Sequence, residues 1–133
     1  MKCVLHLLMI GLIISIIGCE KVSKDAVKMT VDYTWAGMKP CQWGNPEINV
    51  SGVPEKTKFL KISMYDHAYR YNHGKVLVPY TGNEKFEMNR FKELQGPCPP
   101  AGPGRYEITI KAIDENDVVI GIGSKERMYP EKE

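Results

Sequence analysis

The sequence lacks the features that define several common classes of protein. It has no block of basic residues, and its 18 Lys and Arg against 16 Asp and Glu give a formal net charge of +2. A nearly neutral chain of this kind offers no electrostatic footprint for nucleic acid. It contains 4 cysteines without a Cys-x-x-Cys pair, and the spacing of His67 and His73 does not match a zinc site. We therefore expect neither a bound metal nor a cofactor.

Sequence motifs of catalysis are also missing. There is no Gly-x-Ser-x-Gly, and Ser51, Ser63 and Ser124 lack the recognisable base and orienting partners that a serine hydrolase needs. Carboxylates such as Glu47 and Glu55 flank loops, where acidic residues are common. We expect that the protein is not an enzyme.

The N-terminus has the pattern of an export signal. Lys2 supplies a positive charge, and the run from Val4 to Ile17 is almost wholly apolar. This run is shorter than the ~20 apolar residues that a membrane-spanning helix requires. It stops at Gly18, and the residues from Ile16 to Cys19 resemble the lipobox of bacterial lipoproteins.

The lipobox resemblance implies that residues 1–18 are a signal peptide, cleaved before Cys19, and that the Cys19 sulfur carries lipid. Two or more acyl chains hold a protein stably on a membrane. Residues 19–26 would then be the lipidated N-terminus and a tether, on a cell-envelope membrane and facing the periplasm. Glu20, rather than aspartate, slightly favours the outer membrane. The alternatives are a plain signal peptide with an incidental cysteine, or an uncleaved anchor.

Residues 27–133 are predicted to form a single domain of β-strands. Apolar and polar side chains alternate along several short segments that are separated by turns rich in glycine, proline and asparagine. These segments are residues 27–35, 48–50, 59–66, 75–80, 106–112 and 118–122. Residues 84–93 fit neither the strand period nor the helix period and allow one short helix. The pattern predicts an all-β fold, an antiparallel β-sandwich.

Two cysteines are left for the folded domain, because Cys3 would leave with the signal and Cys19 would carry lipid. In an oxidising periplasm, Cys41 and Cys98 are candidates for a disulfide bond. The alternative is a pair of free buried thiols.

Several short motifs resemble, in their order and spacing, the phosphatidylethanolamine-binding protein family, which includes the Raf kinase inhibitor protein. The resemblance covers residues 41–114. Its segments are Cys41-x-x-x-Asn45-Pro46-Glu47-Ile48, Ser51-Gly52-Val53-Pro54-Glu55-x-Thr57-Lys58, Asp66 after a strand, His73-Gly74, Gly82-Asn83, Gly96-Pro97-Cys98-Pro99-Pro100-x-Gly102, Arg105-Tyr106 and Ala112-Ile113-Asp114.

The resemblance implies a β-sandwich with a small anion pocket at one end, built in the family from an aspartate, two histidines and a tyrosine. The matching residues in this sequence are Asp66, His73 and Tyr106, whereas Gly104 stands where the family usually has its second histidine. Histidine and tyrosine donate hydrogen bonds to phosphate oxygens, and a carboxylate orients the imidazoles. His67 could supply the missing donor from another side.

Two functions follow as expectations. The first is non-catalytic binding of a small anion or a phospholipid head group by a membrane-anchored lipoprotein. The second is a structural or protein-interaction lipoprotein of the cell envelope, with an envelope protein as partner and no retained ligand pocket. The tyrosines at positions 65, 69, 71 and 80 could line a pocket mouth or an interface, or pack within loops.

Overall fold

The computed structural model describes residues 18–131, which form eight strands. The strands are β1 (Lys21–Lys28), β2 (Thr30–Thr34), β3 (Glu47–Ser51), β4 (Phe59–Asp66), β5 (Tyr71–Pro79), β6 (Lys85–Phe86), β7 (Gly104–Ile113) and β8 (Val118–Tyr129). The signal peptide predicted for residues 1–18 lies outside the described residues, except for Gly18. Within the described range no helix has the length and apolarity to cross a bilayer.

The strands form two sheets that pack face to face. One sheet has the order β1-β8-β7-β4-β5 and the other the order β2-β3-β6. Every pairing is antiparallel except that of β1 with β8, which is parallel. The predicted all-β sandwich is confirmed. Residues 84–93 hold β6 and turns, and no helix occurs among residues 18–131.

The core lies between the two sheets and follows from the alternation in β4 and β7. Leu60, Ile62 and Met64 are paired across the ladder with Ala112, Ile110 and Ile108, and all six side chains are almost fully buried. They face the inner side of the smaller sheet, where Val31, Tyr33, Ile48 and Val50 are buried. Burial of each large aliphatic side chain contributes about 1.5–3 kcal/mol, so this layer is the main source of stability.

A strand occupies most of the segment in which the sequence predicted a tether. β1 runs from Lys21 to Lys28 along the edge of the larger sheet, and none of its side chains is fully buried. Main-chain hydrogen bonds to β8 hold it there. Immediately after it, the Met29 amide donates to the Ile122 carbonyl at 2.9 Å, and the chain crosses to the smaller sheet. Because β1 buries no apolar face, hydrophobic periodicity could not predict it.

Two other strands are longer than their sequence patterns indicated. β5 begins at Tyr71 rather than near Lys75, and β8 continues to Tyr129 instead of ending near Ile122. The added part of β8 is largely exposed and polar, and it is held by its ladder with β7. Main-chain pairing with the buried strands β4 and β7 makes β5 and β8 longer than the segments in which their side chains alternate between apolar and polar.

A disulfide between Cys41 and Cys98 joins the two long loops at one end of the sandwich. The loops also pair through their backbones, since the Cys41 amide donates to the Pro97 carbonyl and the Gly96 amide to the Gln42 carbonyl, both at 2.8 Å. The predicted disulfide is therefore present. It fixes the walls of the cavity described below.

Loss of this disulfide should destabilise the domain substantially. The cysteines are 57 residues apart, and the loop-entropy model assigns about 4 kcal/mol to a closed loop of that length. We expect Cys41→Ser/Cys98→Ser in the 20–133 fragment to lower the free energy of unfolding by about this amount in urea titrations. The fragment retains the core residues named above and no other cysteine.

Reduction of the unmodified fragment with dithiothreitol is the matched control, because it opens the same loop without changing a residue. Equal unfolding midpoints in the oxidised and reduced states would contradict a stabilising role for the disulfide.

Candidate functional site

A cavity of about 310 Å³ opens at one end of the sandwich, where β4 ends and β5 and β7 begin. The surrounding residues come from these strands and from the disulfide-linked loop. They are Asp66, Tyr69, Tyr71, His73, Gln95, Cys98 and Pro100. Aromatic rings and the disulfide form much of the wall, and few polar groups face the space.

Asp66 is the last residue of β4 and is almost fully buried, with 2% of its surface exposed. One carboxylate oxygen, Oδ1, accepts hydrogen bonds from the backbone amides of Ala68 at 2.8 Å and Tyr69 at 3.2 Å. This is the local bonding by which aspartate starts a turn. Asp66 therefore fixes the turn into β5 and also lines the cavity.

His73 reaches the cavity from a β-bulge. Ser63 pairs with Lys75 and Tyr65 with Asn72, so His73 and Gly74 together oppose the single residue between those β4 positions. Gly74 adopts φ 106°, which favours glycine, and His73 is 4% exposed. The bulge thus places an imidazole inside the sandwich next to Asp66.

The tautomer of His73 follows from its single hydrogen bond. Its Nδ1 lies 2.9 Å from the Gln95 carbonyl oxygen, which can only accept, so Nδ1 carries a proton. In the neutral imidazole Nε2 is then an acceptor. A second proton would turn Nε2 into a cationic donor. The rings of Tyr71 and Tyr106 pack edge-on against this imidazole, with centroids at 4.9 and 5.2 Å.

Tyr106 is fully buried at the cavity end of β7, and its hydroxyl group lies beside the Asp66 carboxylate and the backbone of Cys98. Burial raises the pKa of the Tyr106 phenol well above its usual range, and the negative charge of Asp66 raises it further. The hydroxyl is therefore protonated at any physiological pH.

Gly104, the position at which the sequence resemblance predicted a departure, packs directly against the ring of Tyr106. A Cβ at Gly104 would lie 2.4 Å from Cε2 of the Tyr106 ring and 2.6 Å from its hydroxyl oxygen. The Tyr106 ring therefore lies where a side chain at position 104 would begin.

His67 does not replace the missing histidine. Its Nε2 lies 2.9 Å from Glu107 Oε2 and 4.0 Å from Glu126 Oε2, on the solvent-facing side of the larger sheet. These three side chains have ligand atoms within 4.8 Å of one another, as a metal site would require. However, His67 already pairs with Glu107, and Arg105 lies 3.5 Å from Glu126. Each of the two carboxylates therefore already has a partner within the protein, and we assign no metal here.

The structure brings together all three residues that the sequence singled out. Asp66 is directly opposite Tyr106 in the β4–β7 ladder, and the ring of Tyr106 contacts that of His73. No lysine or arginine lines the described cavity. Hydrogen-bond donors must therefore come from hydroxyl groups, amides and a protonated His73.

Sequence reasoning missed Gln95, whose carbonyl orients His73 and whose side-chain oxygen accepts from the Tyr71 hydroxyl at 3.1 Å. No motif marks a glutamine that acts through its backbone. Of the four tyrosines for which the sequence left a pocket mouth, an interface or loop packing open, Tyr69 and Tyr71 line the cavity. By contrast, Trp35 belongs to the core and Trp43 is 57% exposed beside the bridge to Gln95.

Comparison with known proteins supports the fold. No family model and no curated protein matches the sequence. Among solved structures, the chain is similar to CT736 of Chlamydia trachomatis, described as a phosphatidylethanolamine-binding protein homologue. The TM-score is 0.58 at 14% identity, over 81% of this chain and 99% of that one.

A second similar structure is YbcL of Escherichia coli, described as a new member of the mammalian phosphatidylethanolamine-binding protein family. The TM-score is 0.52 at 18% identity, over 86% of this chain and 92% of that one. Identities this low show the fold alone. The chain has the phosphatidylethanolamine-binding protein fold, and the resemblance carried by residues 41–114 is confirmed at that level.

Substitution of Gly104 tests how the Tyr106 ring is held. Gly104→Ala should force the ring to move and lower the free energy of unfolding by about 1–3 kcal/mol, as overpacked cores do. In a Tyr106→Leu background, which lacks the clashing ring atoms, Gly104→Ala should lower the free energy of unfolding by much less. Urea unfolding of the four variants gives the coupling energy. Additive effects would mean that the two positions do not share this space.

Proposed function

We propose that the protein is a membrane-anchored lipoprotein of the cell envelope whose sandwich domain binds a small anion or a phosphorylated head group without catalysis. The observation that carries the binding proposal is the convergence of Asp66, His73 and Tyr106 at one end of the sandwich. Asp66 and His73 line the cavity that opens there, and Tyr106 is buried against both.

Each of the three groups has a distinct role in this proposal. Tyr106 donates a neutral hydrogen bond to a ligand oxygen. His73, whose Nδ1 is held by the Gln95 carbonyl, presents Nε2 as the atom that hydrogen-bonds the ligand. Asp66 fixes the turn after β4 through its Oδ1 and forms part of the cavity lining.

Binding without chemistry is the better fit to the lining of the cavity. Its residues include no serine or threonine, and the sulfur of Cys98 is committed to the disulfide. Covalent catalysis needs a nucleophile activated by a neighbouring base. The tyrosine hydroxyls of Tyr69 and Tyr71 are already donating, to the Ala101 carbonyl and the Gln95 side chain.

Membrane anchoring is proposed from the lipobox resemblance around Cys19. Cleavage before Cys19 would make this residue the first of the mature chain, and its sulfur would carry the lipid. The mass of the mature chain tests this.

A second function, recognition of an envelope protein, is favoured by the aromatic side chains around the cavity mouth. Trp43, Tyr69 and Tyr71 are 57%, 43% and 51% exposed. Aromatic residues are enriched in protein interfaces relative to the rest of a surface. Crosslinking on intact membranes, with Trp43→Ala as comparison, would reveal a stoichiometric partner if this function holds.

Ligand binding can be measured on the 20–133 fragment by titration with inorganic phosphate and with short-chain phospholipid. We expect His73→Ala and Tyr106→Phe each to weaken binding by about tenfold or more, because each removes one hydrogen bond to a charged ligand. Calorimetry and chemical-shift changes in a ¹H–¹⁵N spectrum provide the affinity and the location.

The matched control is His67→Ala, which removes an imidazole from the opposite side of the same sheet and should leave affinity unchanged. Unfolding curves for each variant separate lost binding from lost structure. Absence of heat and of shifts at millimolar ligand in the unmodified fragment would rule out anion binding.

Lipidation is tested on the full chain expressed in a bacterium with a lipoprotein pathway. We expect a membrane-bound mature protein that begins at residue 19 and carries the mass of a diacylglyceryl group and a fatty acid. Cys19→Ser should lose the lipid and the cleavage before residue 19. A mature chain whose mass equals that of the peptide alone would contradict the anchor.

A further inference from the structure

The cavity and the anchored end of the chain lie at opposite ends of the larger sheet. At the cavity end, Asp66 pairs with Tyr106. At the other end, Phe59 pairs with Ile113, and Lys21 lies beside the first residue of β8. The seven steps from Phe59 to Asp66 span about 23 Å at ~3.3 Å per residue.

The cavity and the N-terminal segment also lie on opposite faces of that sheet. The Glu20 carboxylate forms ion pairs with Lys61 and Lys111, which are neighbours across β4 and β7. Both lysines alternate with core residues and so project from the outer face. Asp66 and His73 are buried on the inner side, between the sheets. A membrane in contact with Cys19 would approach the outer face, behind the cavity.

Almost no flexible chain separates the lipidation position, Cys19, from the first strand of the domain. A free extended tether over residues 19–26 would reach about 26 Å, enough to turn the cavity towards the bilayer. Here β1 begins at Lys21 and is hydrogen-bonded to β8, and Glu20 bridges two lysines. Only the bond from Cys19 to Glu20 precedes this fixed segment.

Charge favours the same orientation. The β1 segment exposes Lys21, Lys24 and Lys28 and contains a single acid, Asp25. Exposed lysines beside an anchor are attracted to anionic lipid. Such an attraction would turn this edge of the domain towards the bilayer and the cavity away from it.

We propose that the ligand of the Asp66–His73–Tyr106 cavity is a water-borne anion or phosphate ester, and not a head group of the membrane that holds the protein. The inference rests on the proposed function for the anchor and for anion binding. A phosphate oxygen offers the same chemistry whether the phosphate is free or attached to lipid, so the cavity alone does not identify the source of the ligand. The orientation of the domain identifies that source.

The orientation can be measured through Trp43, which is exposed and pairs with the cavity residue Gln95. Full-length lipidated protein is reconstituted into vesicles of phosphatidylethanolamine and phosphatidylglycerol that contain a lipid with a head-group quencher. The signal of Trp43 is the difference between wild type and Trp43→Phe. We expect little quenching in the wild-type background.

The matched comparison inserts a 20-residue Gly/Ser linker between Cys19 and Glu20, which gives an average reach of about 25 Å. The lipid, the domain and the cavity are unchanged, and the only difference is the flexible chain between the lipid and the domain. Quenching of Trp43 should increase in this variant. Strong quenching in the wild type, equal to that in the linker variant, would overturn the orientation.

The source of the ligand is tested by phosphate titration of the anchored protein, with the resonances around His73 as the readout. Phosphate should bind the anchored protein and the 20–133 fragment with affinities equal within about twofold, since the site is open to water in both. Vesicles should shift the His73 resonances of the linker variant but not of the anchored wild type.

Two failures are distinguishable. The inference is wrong if vesicle lipid shifts the His73 resonances of the anchored wild type. It is also wrong if the anchored protein binds phosphate more weakly than the lipid-free 20–133 fragment does. Either result would mean that the cavity faces the bilayer. If phosphate binds no form of the protein, the proposed anion binding is wrong, and so is the ligand inferred from it. The Trp43 measurement still decides the orientation in that case.

Discussion

The pairing of β4 with β7 is the interaction on which the rest of this structure depends. An unbroken register from Phe59 opposite Ile113 to Asp66 opposite Tyr106 places the largest aliphatic residues of both strands on one face. The same register brings a carboxylate and a phenol to one end of the sheet. A slip of either strand by one residue would turn its core side chains and its cavity residue to the outer face, so core and cavity are specified together.

Around that ladder, the cavity is shaped by two local departures from regular strand geometry. The bulge at His73 brings an imidazole to the cavity that Asp66 also lines, and the ring of Tyr106 lies where a side chain at position 104 would begin. The result is a site with one imidazole and no lysine or arginine among its described lining residues.

The edge strand β1 connects the fold to the proposed location of the protein. It adds no buried side chain, yet its ladder with β8 and the ion pairs of Glu20 hold the N-terminal segment against the outer face. A segment that would otherwise be a spacer becomes part of the domain. The position of an anchor then also determines which way the cavity faces.

Apolar alternation was enough to locate strong strands such as β4, and the short motifs identified Asp66, His73 and Tyr106, which the fold brings together. Alternation indicates which side chains are buried, and a motif indicates which chemistry is present. The pairing of β1, the end of β8 and the face of the sheet on which His67 lies could be learned only from the folded chain. These depend on main-chain pairing with distant strands and on the packing of the Tyr106 ring, and neither leaves a pattern in the local sequence.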